Sequence, residues 1–176
     1  ASDVYKRQVM DALVNLIPLP PDLGWYFAID MVIAILLLSA MWWISAVLLS
    51  GPTDKELTKK DNFAYGISVA GRMMGLSIVL VGGVANSKTD NFLDAALTML
   101  VYGVVGIILI KVGRFAHDKI ILHRLDKEFH IQDRNVAIAL VDASSSIATA
   151  LVIQSAMLWA KGIDTNAFVA VISGFI

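Results

Sequence analysis

Apolar residues in this chain fall in long blocks rather than at the spacing of a half-buried surface. The first block runs from about Trp25 to Leu49, carries no charge from Met31 to Leu49, and halts at Ser50, Gly51 and Pro52, a cluster that cannot continue a helix. A second runs from Phe63 to Val84 with Arg72 inside it, a third from Phe92 to Ile110 with Asp94 near its start, and a fourth from Val136 to Ala160 with Asp142 inside it. Each is long enough to cross about 30 Å of hydrocarbon at roughly 20 residues per helix. A fifth run, Ala167 to Ile176, reaches only about 15 Å and is expected to be a transmembrane helix cut short. The pattern predicts an all-α, polytopic transmembrane helix bundle.

Composition agrees, because 57% hydrophobic and 16% charged residues in 176 lie outside the range of an ordinary soluble domain. Ala1 to Gln8 has no periodicity linking it to the rest of the chain and is expected to be an added tail, so it is set apart from fold reasoning. Val9, Leu13, Leu16 and Ile17 fit a short amphipathic helix on the membrane surface before Pro18, Pro20 and Pro21. With no cysteine, disulfides, thiolate metal sites and cysteine nucleophiles are excluded, and a net charge of -1 gives no reason to expect nucleic acid.

Orientation follows from where short loops place lysine and arginine. Lys55, Lys59 and Lys60 follow the first block, and Lys111, Arg114, Lys119, Arg124, Lys127 and Arg134 follow the third, whereas the opposite side offers Lys88 and Lys161, with Lys6 and Arg7 added if the tail is native. The segments around 51–61 and 111–134 are therefore expected in the cytoplasm and the N-terminus outside.

The loops also repeat. Asp54, Lys55, Glu56 and Leu57 lead to Asp61, Asn62, Phe63 and Ala64, while Asp126, Lys127, Glu128 and Phe129 lead to Asp133, Arg134, Asn135, Val136 and Ala137. Asn62 and Asn135 stand 73 residues apart, and each is followed 29 residues later by an amide or acid, Asn91 and Asp164. Two crossings return the chain to its starting side, so the copies form tandem parallel two-helix repeats. The expected organisation is residues 1–24 as tail and interfacial helix, 25–90 as the first repeat, 91–163 as the second with a cytoplasmic arm at 111–134, and 164–176 as the start of a further helix.

Asn62, Phe63 and Ala64 followed by a small-residue helix through Gly71 and Gly75, with the second occurrence at Asn135, Val136 and Ala137, resemble the bacterial membrane family called domain-of-unknown-function 350, the YjfL-like inner-membrane proteins. The likeness runs from about residue 25 to the end, and the longer second loop departs from the compact version of the family. The resemblance implies a small multi-pass protein of the bacterial inner membrane, and it names no activity.

Candidate chemistry rests on polar groups inside the apolar blocks. Arg72 lies ten residues beyond Asn62 and Asp142 seven beyond Asn135, depths of about 15 and 10 Å, where a charge is expensive unless paired or wet. In the repeat register the two differ by one helical turn, so they are expected to meet between the second and fourth helices. Ser145, Ser146 and Thr149 share the Asp142 face, and Ser68 shares the Arg72 face with Gly75. Two readings stay open: an ion or proton pathway in which Asp142 changes protonation, and a structural salt bridge that fixes helix pairing.

Gly71 with Gly75, Ala139 with Ala143, and Ser146 with Ala150 give small-xxx-small spacings suited to close helix packing. Asn62 and Asn135 are placed to cap helices. His117, His123 and His130 have no i, i+4 metal spacing and no HExxH motif accompanies them, so they read as a solvated or headgroup-facing surface. Phe115, Leu122, Leu125 and Phe129 suggest that the third helix continues as an amphipathic arm. Trp25, Tyr26, Phe27 and Trp159 read as interfacial anchors, and Trp42 and Trp43 as deeper lipid or helix contacts.

No nucleophile, phosphate loop or metal cluster emerges, so the expectation is a non-enzyme without catalytic residues, metal or cofactor. The functional classes that remain are a small-solute, ion or proton pathway at the repeat interface and a non-transporting scaffold. The expected partners are the lipid bilayer, a second copy of the chain, or a cytoplasmic protein docking on 111–134.

Overall fold

The computed structural model describes residues 21–48, 53–86, 92–120, 124–158 and 165–175. They form α1 (Leu23–Leu48), α2 (Thr53–Thr58), α3 (Phe63–Asn86), α4 (Phe92–Ile120), α5 (Lys127–Gln132), α6 (Val136–Met157) and α7 (Thr165–Phe175). Readings placed on residues 1–17 and on Lys88, Leu122, His123, Trp159 and Lys161 lie outside the described residues. The fold is an all-α bundle, and α1, α3, α4 and α6 are long and apolar enough to cross a membrane. The chain is a multi-pass membrane protein.

Packing is centred on α3, which lies against α6 along its length and also touches α4 and α1. The reason is steric. A Cβ at Gly71 would collide with the Ala143 backbone of α6, and one at Gly75 would stand 3.0 Å from the Ser146 carbonyl oxygen. The two backbones therefore approach as closely as small residues permit, which in a membrane replaces the hydrophobic drive that water would supply. Ala139 is fully buried, and Ala150 lies against the Gly75 position. Gly103 and Gly106 of α4 receive Leu37 of α1 and Val79 of α3 in the same manner.

One apolar core is shared by α1, α3, α4, α6 and α7 through Leu37, Met41, Leu76, Tyr102, Ile153 and Val171, among others. A second gathers Ala64, Tyr65, Val69, Ile131 and Ala139 at the end of the bundle that carries α2 and α5, called here the loop end. The outward faces are apolar as lipid contact requires: Trp43 is 77% and Val47 73% exposed, and Trp42 is partly covered. Trp25 and Phe27 are likewise exposed, while Tyr26 stacks edge-on against Phe92 at 5.4 Å.

Helix α4 runs past the expected membrane exit at Ile110 without a break. Its 29 residues span about 43 Å, more than the hydrocarbon core needs, so its last turns stand beyond the apolar layer.

The steric account yields a prediction. Gly71→Leu forces side-chain atoms into the Ala143 backbone and is expected to destabilise the bundle by at least about 3 kcal/mol, the upper part of the range for overpacking. Gly24→Ala, where nothing lies within 4 Å of the added carbon, is expected to change stability by less than about 0.5 kcal/mol. Thermal unfolding of both variants in one detergent measures the difference, and equal melting temperatures would refute the close-contact account.

Candidate functional site

The two loop-end connections are built alike. Each turns through a residue in the left-handed region, Asp61 (φ 47°) and Arg134 (φ 64°), directly before an asparagine. Asn62 Oδ1 accepts from the Tyr65 N–H at 3.1 Å and Asn135 Oδ1 from the Ile138 N–H at 3.2 Å, so both asparagines cap the helix they precede. Asn62 does more, because its Nδ2 donates to the carbonyls of Ile131 and Gln132 at 3.0 and 3.1 Å. It is buried and ties the start of α3 to the end of α5. Thr53 and Tyr65 hydroxyls meet at 3.1 Å, and Arg134 donates to the Lys60 carbonyl, which binds the two connections further.

Below this tie lies the charged centre. Arg72 Nη2 donates to Asp142 Oδ2 at 3.1 Å, and both side chains are 1% exposed. The structure thus brings α3 and α6 together through this pair, but the pair is not alone. Arg114 of α4 donates from Nε and Nη2 to Asp142 Oδ1 at 3.1 and 2.6 Å. Lys127 of α5 places Nζ 2.9 Å from the same oxygen, and the Ser68 hydroxyl donates to Oδ2. One carboxylate therefore joins four helices and faces three cations. The expectation of a single balanced pair is corrected: Arg114 and Lys127, counted with the solvated cations of the 111–134 arm, turn inward.

Their positions explain why. Arg114 lies 22 residues beyond Phe92, about 33 Å along α4, where the helix is leaving hydrocarbon and a long side chain can turn back into the bundle. Lys127 opens α5, whose N-cap Asp126 accepts from the Phe129 N–H at 3.2 Å and fixes the helix over the bundle end. Lys127 also bonds Asp118, which lines an open cleft of about 330 Å³ with Phe115, Lys119, Leu125, Asp126 and Glu128.

The polar stripe divides. Ser68 reaches Asp142, whereas Ser146 donates to the Asp142 main-chain carbonyl at 3.0 Å and Thr149 to the Ser145 carbonyl at 2.8 Å. Serine and threonine in a helix satisfy themselves in this way, so helical spacing alone does not distinguish them from a serine aimed at a charge. Of the histidines, His117 sits 3.7 Å from Asp118 and His130 packs edge-on against Phe129.

A further intramembrane acid escapes the sequence reading, which begins its charge-free stretch at Met31. Asp30 is half-buried in α1, and no side chain among the described residues pairs with it. A carboxylate at such depth costs about 2.5 to 3.5 kcal/mol on insertion scales at the bilayer centre, less nearer the interface.

A family model described as Domain of Unknown Function (DUF350) matches residues 12–157, which takes in α1 to α6. The chain belongs to this family. No curated protein and no solved structure matches it. DUF350 membership covers both loop-end connections and every member of the Asp142 cluster, so the cluster lies within the family's matched region.

Two outcomes follow from the geometry. Asp142→Asn removes the anion and leaves three cations together in a buried site, and is expected to destabilise the bundle by about 3 to 5 kcal/mol, as breaking buried ion pairs does; denaturant unfolding in mixed micelles measures it. Asn62→Ala loses a cap and two cross-bundle bonds, whereas Asn135→Ala loses a cap alone. The first is expected to cost about 1 to 2 kcal/mol more than the second, and equal losses would remove the cross-link from the account.

Proposed function

We propose that this chain is a non-catalytic, non-transporting subunit of the bacterial inner membrane that docks a cytoplasmic protein on its loop end. The observation that carries this reading is the saturation of Asp142. Both oxygens are held by Ser68, Arg72, Arg114 and Lys127, and the adjoining α3–α6 contact is closed by Gly71 against Ala143. A carrier group must exchange partners during its cycle, whereas this one holds four helices in register.

Orientation with the N-terminus outside rests on the cations of the loop end, among them Lys55, Lys59, Lys60, Lys111, Lys119 and Arg124. The paired left-handed residues and asparagine caps support a duplicated two-helix unit with both copies in the same orientation. The docking face is the projecting end of α4 with α5, where Phe115, Ile120, Leu125 and Phe129 are exposed among those cations. Apolar side chains presented beyond the hydrocarbon layer favour a protein or headgroup cover.

One observation favours the pathway reading. Asp118 in the open cleft contacts Lys127, and Lys127 contacts Asp142, so a line of charged groups leads from the loop end into the bundle.

Liposomes containing the purified chain and a pH-sensitive dye separate the two. Under an imposed proton or salt gradient, flux is expected to match protein-free liposomes. Flux above that level, lost in an Asp142→Asn variant that stays monodisperse, would overturn the subunit reading in favour of a pathway. In parallel, a photo-crosslinking amino acid at Phe115 or Phe129 in living cells is expected to give protein adducts, while one at Val47 on the lipid face gives none. Adducts to lipid alone at all three positions would remove the docking face.

A further inference from the structure

Toward the end of the bundle away from the loop helices, α1, α3 and α4 border a groove of about 500 Å³, a size typical of ligand sites. Its walls are apolar, from Phe27, Met31, Ala34 and Leu38 on α1 and Leu80 and Val81 on α3, with Met99 of α4 also lining it. Asp30 is the one charged side chain among its lining residues, and Ser77 is the other polar one. Ser77 already donates to the Met73 carbonyl at 2.9 Å. Asp30 has no partner among the described residues.

Two features define what fits. The groove opens sideways, since Phe27, Met31 and Val81 are exposed on the face that meets lipid, so its occupant arrives through the bilayer and needs an apolar body. Asp30 stands five residues beyond the interfacial Trp25, about 7.5 Å deeper, where a carboxylate calls for a cation. A strongly hydrated metal ion does not enter from hydrocarbon. We propose that this groove binds a membrane-partitioned amphiphilic amine, with its alkyl chain along Ala34, Leu38 and Val81 and its ammonium on the Asp30 carboxylate. The site is separate from the Asp142 cluster and does not depend on how that cluster is read.

The test uses the full chain in phosphatidylcholine nanodiscs, whose lipid carries no primary amine, with dodecylamine as probe and native mass spectrometry as readout. Saturable binding of one dodecylamine is expected, with dodecanol binding at least about tenfold more weakly, the loss that follows from removing one partner of a charge-assisted bond. Asp30→Asn is expected to weaken dodecylamine by a similar factor, Ala34→Trp to abolish binding by filling the groove, and Asp22→Asn, an exposed acid at the start of the same helix, to leave it unchanged. Equal binding of amine and alcohol by the parent chain overturns the proposal even where a variant fails to fold, and so does undiminished binding in Asp30→Asn. Because the chain has no cysteine, Ala34→Cys supplies a further arm: disulfide-linked dimers would seat a second copy in the groove and overturn the proposal, whereas loss of dodecylamine binding when phosphatidylethanolamine is added to the discs supports it and makes that lipid the source of the ammonium.

Discussion

Asp142 is the anion on which three cations from α3, α4 and α5 converge, with Asp118 sharing Lys127, and the arrangement of the loop end follows from that charge. In a medium of low polarity an ion pair repays its desolvation only where geometry is good and the remaining lone pairs are used. Here Arg114 engages one oxygen with two donors, Lys127 shares that oxygen, and Ser68 and Arg72 take the other. Electrostatics and packing also depend on each other. Ser68 and Arg72 reach Asp142 because Gly71 lets the α3 backbone rest on Ala143. A side chain at position 71 would lengthen the reach of both groups, and the cost would appear as lost ion pairing as well as steric strain.

The two ends of the bundle differ in consequence. At the loop end, Asn62 bonds to Ile131 and Gln132, Arg134 bonds to Lys60, and the charged cluster below them joins four helices. Toward the other end a groove lies between α1 and α3. Helix α1 is also the least buried of the four long helices. A segment with few buried contacts opens at low free energy, so α1 beside the groove is the part of the bundle with least packing to resist an occupant.

Much of this was legible in the residues. The spans follow from apolar runs of about twenty residues, the length a helix needs to cross hydrocarbon, and the caps of α3 and α6 follow from Asn62 and Asn135 before them. The meeting of Arg72 with Asp142 follows from depth and register. Arg114 and Lys127 were not legible, because counting loop cations treats each as a solvated charge, and the sequence gives no sign that α4 carries Arg114 to the bundle's edge or that α5 folds back over it. Asp30 sits directly before the charge-free run that begins at Met31, so on sequence alone it reads as the edge of the span. Ser145 and Thr149 were grouped with Ser68 because spacing reports the face of a helix and not what a hydroxyl bonds to. The expected repeat pairs two charges, Arg72 and Asp142, whereas Lys127 comes from α5 and Arg114 from α4.

The number of cations has a physical reason in the helix surfaces they join. Small residues recur along α3 at Gly71 and Gly75 and along α6 at Ala139, Ala143, Ser146 and Ala150. A slip of α3 past α6 by one turn, about 5.4 Å, would bring small residues opposite small residues again, so packing alone distinguishes neighbouring registers poorly. A single Arg72–Asp142 pair would resist such a slip only weakly, because a long guanidinium side chain can follow its partner over part of that distance. Arg114 and Lys127 remove that freedom. They approach Asp142 from α4 and α5, so the anion is held from two helices besides α3, and Ser68 is too short to follow a slip. A displaced register leaves α3 without its anion while Arg114 and Lys127 retain theirs, and Arg72 is then an unpaired buried charge. The cluster therefore selects one register from several that packing allows, a buried charge network whose role is specificity of assembly more than net stability.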